Sequence, residues 1–126
     1  MSVQAPKVMT VQEMATYLVD MCRKGEGTQV VKEIYCDNAK SIESMGDNKI
    51  TEGKEAILGK HAWWDNAFEV HSMEVADPIV ADNFFSTSFT MDTTNNETKE
   101  RTTMSEIAVY EVKDGKIVCE QFFYGG

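Results

Sequence analysis

Ala108-Val109-Tyr110-Glu111-Val112-Lys113-Asp114-Gly115-Lys116-Ile117-Val118 reads as two strands joined by a turn. Branched and aromatic residues crowd both arms, and Asp-Gly is a favoured hairpin turn. The register of this hairpin decides which side chains share a face. A two-residue turn pairs Lys113 with Lys116 and puts Glu106 and Glu120 on opposite faces. A three-residue loop, Lys113-Asp114-Gly115 with the glycine left-handed, pairs Val112 with Lys116. Ala108 then lies opposite Glu120, and Glu106 opposite Phe122. Met104, Glu106, Ala108, Tyr110, Val118, Glu120, Phe122 and Tyr124 share one face in that case. The second register is the expectation. The other face, with Ile107, Val109, Ile117 and Phe123, is apolar as well. A sheet apolar on both sides needs cover on both sides, so a homodimer through this outer face is expected.

Outward from the hairpin, the chain divides by period. Phe84 to Thr93 alternates, with Phe85, Thr87, Phe89 and Met91 on one face. Glu69 to Val80 is strand-like but interrupted by Pro78, which marks an edge or a bulge. Asp82-Asn83 and Asn95-Asn96 are turn signals. Thr102 to Val112 and Lys116 to Tyr124 complete an antiparallel meander. Upstream the period is helical. Thr10-Val11-Gln12-Glu13 is a capping box. Val11, Met14, Leu18, Met21 and Cys22 follow at helical spacing until Gly25. Thr28 is placed to cap a second, shorter helix carrying Val30, Val31 and Ile34. Ala39 to Met45 reads as a strand closed by the turn Gly46-Asp47-Asn48. A third helix runs from near Gly53 to Ala67 with the stripe Ile57, His61, Trp64, Phe68. Helices first and strands later predict an α+β domain, helices packed on one sheet face. Residues 1–9 read as a flexible N-terminal arm and 10–126 as a single domain.

Composition narrows the function classes. The chain has 126 residues and a formal charge of −9, from 12 Lys plus Arg against 21 Asp plus Glu. An acidic chain lacks the basic face that nucleic acid or an anionic membrane requires. No apolar run approaches a spanning helix, and the first residues lack the order of a signal peptide. A cytoplasmic location is expected. Cys22, Cys36 and Cys119 have no close spacing, so they read as reduced, small core residues rather than metal ligands. His61 and His71 share no spacing either. With no metal-binding, dinucleotide or P-loop motif, neither a metal nor a cofactor is expected.

Glu106 and Glu120 each stand among apolar residues in the expected alternation. A carboxylate there is costly unless paired, and burial or mutual repulsion raises its pKa toward general acid–base range. Each also reads as a wet mouth residue or a partner of Lys. Glu43, between polar Ser44 and Ile42, reads as a base or as a solvated strand residue. Tyr17 flanks the first helix's stripe, where a phenol buries its ring and directs its hydroxyl into a cavity or simply packs. His61, Trp64, Phe85, Phe89, Met91, Met104, Phe122 and Tyr124 form an aromatic and thioether lining for an apolar ligand, against the plainer reading of a filled core.

Three stretches together resemble a known family. Glu33-Ile34-Tyr35-Cys36-Asp37-Asn38-Ala39 joins a helix to a strand, Glu52-Gly53-Lys54-Glu55-Ala56-Ile57 opens a helix, and the hairpin ends in Phe122-Phe123-Tyr124. Their order and spacing, over about residues 10–124, resemble SnoaL-like polyketide cyclases and ketosteroid isomerases of the nuclear transport factor 2-like superfamily. The resemblance implies a cystatin-like cone fold, with three N-terminal helices packed on a curved antiparallel sheet around a deep, largely apolar pocket. It implies a dimer and a small hydrophobic polyketide- or steroid-like carbonyl ligand. It implies carboxylate-mediated proton transfer of isomerase or cyclase type. The alternative within this fold is a non-catalytic ligand carrier or a dimeric protein-interaction module. The isomerase base position falls on Glu43 and the helix tyrosine donor near Tyr17. The protonated-carboxyl donor position falls on Ala108, whose side chain donates nothing; Glu106 and Glu120 stand beside it to take that role. The Arg-x-Asp pair of the epoxide-hydrolase branch is missing after Arg23 and Arg101. The proposed chemistry is abstraction of an acidic C–H by Glu43, Glu106 or Glu120, with Tyr17 or Tyr124 stabilising the enolate oxygen.

Overall fold

The capping box forms as the sequence dictates: Glu13 N–H donates to Thr10 Oγ1 at 3.1 Å and Thr10 N–H to Glu13 Oε1 at 2.9 Å. In the computed structural model, which describes residues 8–46 and 49–125, helix α1 follows over Val11–Arg23. Its stripe Met14, Ala15, Leu18 and Val19 is buried. At its end the Arg23 guanidinium donates to the Val75 carbonyl and to Asp77, at 2.8 and 2.9 Å. Helix α2 spans Gly27–Ile34 and is capped at Glu26 without a side-chain bond. Thr28 therefore lies inside the helix, not at its cap. Of the expected arm, residues 1–7 lie outside the described residues, and Met9 packs against the core.

Strand β1 covers Tyr35–Ile42, starting four residues earlier than Ala39, because Tyr35 leaves the helix directly into extended backbone. Residues 47 and 48 of the expected turn lie outside the described residues. Strand β2, Ile50–Glu52, pairs antiparallel with β1. Helix α3 spans Lys54–Ala67 and is anchored by fully buried Ile57. Pro78 separates β3, Phe68–Val75, from β4, Ile79–Ala81. Strands β5, β6 and β7 are Phe84–Asn95, Arg101–Lys113 and Lys116–Phe123.

The sheet order is β2-β1-β7-β6-β5-β3, with β4 also on β5. The expected purely antiparallel sheet is in fact mixed, because β7 returns beside β1 and runs parallel to it. The three helices and this open, curved sheet make the α+β cone fold. The core joins the helix stripes to buried Phe85, Phe89, Met91, Ala108, Tyr110, Val112 and Ile117 of the sheet.

The deciding hairpin combines the two registers. Asp114 and Gly115 have φ of 52° and 73°, the two left-handed residues of a tight turn, and Lys113 pairs with Lys116. Val112 then pairs with Ile117, but Glu111 pairs with Cys119, so Val118 is an extra residue and the strand bulges there. Beyond the bulge Tyr110 lies opposite Glu120 and Ala108 opposite Phe122. The pairings expected for Glu120 and Phe122 are thus displaced by two residues. The shared face of Glu106, Ala108, Tyr110, Glu120 and Phe122 is recovered all the same. Ile117, expected outside, is fully buried beside Val112, because it precedes the bulge.

Among the described residues no helix is long and apolar enough to cross a membrane. Cys22, Cys36 and Cys119 are free thiols, half-buried rather than in the core.

Candidate functional site

The concave side of the sheet holds a cavity of about 830 Å³ between β1, the β5–β7 ladder, α1–α2 and α3. Cross-strand rows build its wall. Ser41 on β1, Glu120 on β7, Tyr110 on β6 and Phe85 on β5 form one row; Phe122, Ala108 and Thr87 form the next. Glu106 pairs with Phe89 one row further on.

Glu120 is only 1% exposed and is held at the floor. Tyr35 donates its phenolic hydrogen to Oε1, and Ser41 Oγ donates to Oε2 at 2.6 Å. Burial and the Glu120 charge hold the Tyr35 hydroxyl protonated, well above the ordinary tyrosine range. From α3, Lys60 reaches back across the cavity. Lys60, His61 and Trp64 follow Ile57 by three, four and seven residues, so they share its side of the helix. The Lys60 ammonium donates to Ser41 Oγ at 2.6 Å and to Glu43 Oε1 at 2.7 Å, and lies 5.5 Å from the Phe122 ring centre. Tyr124 donates to Glu43 Oε2 at 3.0 Å. One chain of polar contacts thus runs from Tyr124 through Glu43, Lys60, Ser41 and Glu120 to Tyr35.

Glu106 stands outside that chain. No hydrogen bond or ion pair joins its carboxyl to any described residue. Burial, then repulsion by Glu43 and Glu120, push its pKa up to about 7, against a smaller opposing pull from Lys60. That is the range in which a carboxyl gives or takes a proton near neutral pH.

Two expected residues fall elsewhere. Tyr17 does not line the cavity. Its hydroxyl donates to Glu33 on α2, and this bond, with partial burial, pushes its pKa up to about 12. On the flank of α1 the nearest acceptor is the neighbouring helix, not the pocket. Phe85 is in the packed core, stacked on Tyr110 with ring centres 4.7 Å apart. Its face of β5 is as expected, but its ring is packed away and does not line the cavity. Glu43, Glu106, Glu120, His61, Trp64, Phe89, Met91, Met104, Phe122 and Tyr124 all line the cavity. Trp63 joins them at the exposed rim.

Three site residues had no functional reading in the sequence. Lys60 sits beside the helix stripe, where a lysine ordinarily reaches solvent. Tyr35 carried part of the family resemblance but no role. Tyr110 was placed on the right face but given no role. Its signal was an interior hydroxyl beside two glutamates in the alternation. Among the described residues no cluster of three or more His, Cys, Asp or Glu is arranged to hold a metal ion.

The chain matches the SnoaL-like domain family over residues 9–124. No curated protein matches it. A Mesorhizobium loti protein described as a SnoaL-like polyketide cyclase is 36% identical, with a TM-score of 0.88 over 92% of this chain and all (100%) of that one. A Bacillus subtilis protein described as an isomerase shares the fold at 21% identity and TM-score 0.74, over 93% of this chain and 90% of that one. A Catenulispora acidiphila protein with a ketosteroid isomerase-like fold, solved with trimethylamine, shares it at 15% identity and TM-score 0.72, over 92% and 88%. With a cone of three helices on a curved sheet and a family match across nearly its whole length, this chain belongs to the SnoaL-like domain family.

Proposed function

We propose that the cavity binds a small hydrophobic carbonyl compound and that Glu106 moves a proton on it. The observation that carries this reading is the unpaired Glu106 carboxyl, on an apolar wall, with a pKa of about 7. In its ionised form it takes a proton from the carbon next to the carbonyl and returns it to a neighbouring carbon or to the same one. Glu43 and Glu120 are engaged by Lys60, Tyr124, Tyr35 and Ser41, so they tune Glu106 by charge instead of acting as bases. The relatives described as a polyketide cyclase and an isomerase support the same chemistry.

The test is deuterium exchange at the methyl group of acetylnaphthalene, followed by NMR. Exchange should accelerate with protein and rise with pH through about 7, as Glu106 ionises. Glu106→Gln should lower it by about 100-fold or more, the scale of general-base catalysis. Undiminished exchange in Glu106→Gln overturns the base assignment. The carrier reading is favoured by one feature: Ala108 offers no donor where the isomerases place one. It predicts tight binding with no exchange in the native protein.

The outer sheet face supports a homodimer. Ile107, Phe123 and Phe84 are 53%, 45% and 43% exposed there. Ile107→Lys should leave a folded monomer in sedimentation if this face is the interface.

A further inference from the structure

Tyr110 is a cavity residue whose hydroxyl has no partner among the described residues and no part in the proton transfer. Its side chain is 3% exposed, clamped flat against Phe85. No described residue hydrogen-bonds its hydroxyl, and no buried side-chain oxygen or nitrogen is left unsatisfied among the described residues. The hydroxyl is therefore open to the cavity that Tyr110 lines. It is a donor held at a fixed place in a low-dielectric recess, where an unfilled hydrogen bond is costly. The nearby carboxyl of Glu120 already accepts from Tyr35 and Ser41.

The charges around the hydroxyl narrow the partner. Glu43, Glu106 and Glu120 all face the cavity. Lys60 and His61 are the basic side chains among its lining residues, and the Lys60 contacts go to Ser41 and Glu43. An anionic group brought to Tyr110 would meet three carboxyls, with the Lys60 ammonium already engaged. A neutral oxygen meets no such penalty.

We propose that the Tyr110 hydroxyl donates to a neutral oxygen acceptor of the ligand, a ketone or ester carbonyl, and that the site rejects ligands with a carboxylate there. This rests on the reading of the cavity as a hydrophobic-ligand site and names its polar contact. That carbonyl is then held one cross-strand row away from Ala108 and two from Glu106, along one strand.

The test uses three matched probes, acetylnaphthalene, ethylnaphthalene and naphthoate, in equilibrium dialysis at about pH 8.5. The native protein should hold the ketone about tenfold more tightly than the hydrocarbon and should not bind naphthoate measurably, the gap expected of one hydrogen bond. Tyr110→Phe keeps the ring and its stack on Phe85. It should erase the ketone's advantage and leave the affinity for ethylnaphthalene unchanged. Thermal unfolding of Tyr110→Phe close to native shows that the stack is intact. If that variant holds acetylnaphthalene as tightly as the native protein, or if naphthoate binds best, the proposal is overturned. If ethylnaphthalene and acetylnaphthalene both fail to bind the native protein, the cavity reading itself falls, and this one with it.

Discussion

Glu120 and Glu106 face one cavity from adjacent strands, yet their surroundings differ in kind. Glu120 is sealed at the floor and accepts from two hydroxyls, one of them fixed in turn by Lys60. Glu106 stands on the wall with repelling neighbours and no partner among the described residues. Burial alone does not mark a working carboxyl; the number of its partners does. A carboxylate with its hydrogen bonds made is part of the frame. One desolvated without them keeps its proton to near-neutral pH.

The comparison breaks most visibly at the floor. Glu120→Ala removes the acceptor of Tyr35 and of Ser41 and leaves a buried hole. It should cost about 3–5 kcal/mol in chemical denaturation, the range for breaking a buried polar cluster. A loss under about 1 kcal/mol would mean that the floor is wet and Glu120 no part of the frame.

On the wall the sign reverses. The Glu106 pKa of about 7 lies above the ordinary 4.5, so between those values the folded state binds more protons than the unfolded one. Stability therefore falls as pH rises through that window and levels off above it. Glu106→Gln should stabilise the protein by up to about 3 kcal/mol near pH 8, from the size of that shift. The gain should fade below about pH 4.5, where the native carboxyl is protonated in both states. A stability difference independent of pH would refute the assignment. Lys60→Met sharpens the same contrast more gently. It removes the ion pair with Glu43 and should cost about 1–2 kcal/mol. It also removes the one pull that lowers the Glu106 pKa, so the Glu106 titration followed by NMR should move upward.

The fold was legible because period and turn chemistry act locally. The capping box at Thr10, the β5 alternation and the Asp114-Gly115 turn each follow from a few neighbouring residues. The bulge at Val118 was not legible, since both hairpin registers satisfied the local pattern. It inserts one residue after a two-residue turn and so restores the face that a three-residue loop would have given. Glu106 and Glu120 were readable as inward carboxyls by alternation. Their division of roles was not, because Glu120's partners come from β1 and, through Ser41, from α3. Those contacts span 79 and 85 residues of sequence separation in the case of Ser41 and Tyr35. Pairing at that range is set by the parallel β1–β7 contact, which no local pattern encodes.

Tyr17 gives the smallest effect and the cleanest control. It was one of the two expected enolate donors, with Tyr124, yet its hydroxyl is committed to Glu33 across the α1–α2 surface. Glu33 keeps its second acceptor engaged by Gln29 at 2.6 Å, which is the larger cause of its depressed pKa. Tyr17→Phe should therefore shift Tm by less than about 3 °C, as for other exposed polar pairs. The Glu33 pKa should rise only part of the way back toward the ordinary value. Affinity for acetylnaphthalene and its methyl exchange should stay within about twofold of native, because a hydroxyl on the outer flank reaches neither Glu106 nor Tyr110. A tenfold loss of exchange with binding intact would return Tyr17 to the site. It would require α1 to turn its flank inward when ligand binds, and the division between a paired frame and an unpaired wall would then hold only for the empty cavity.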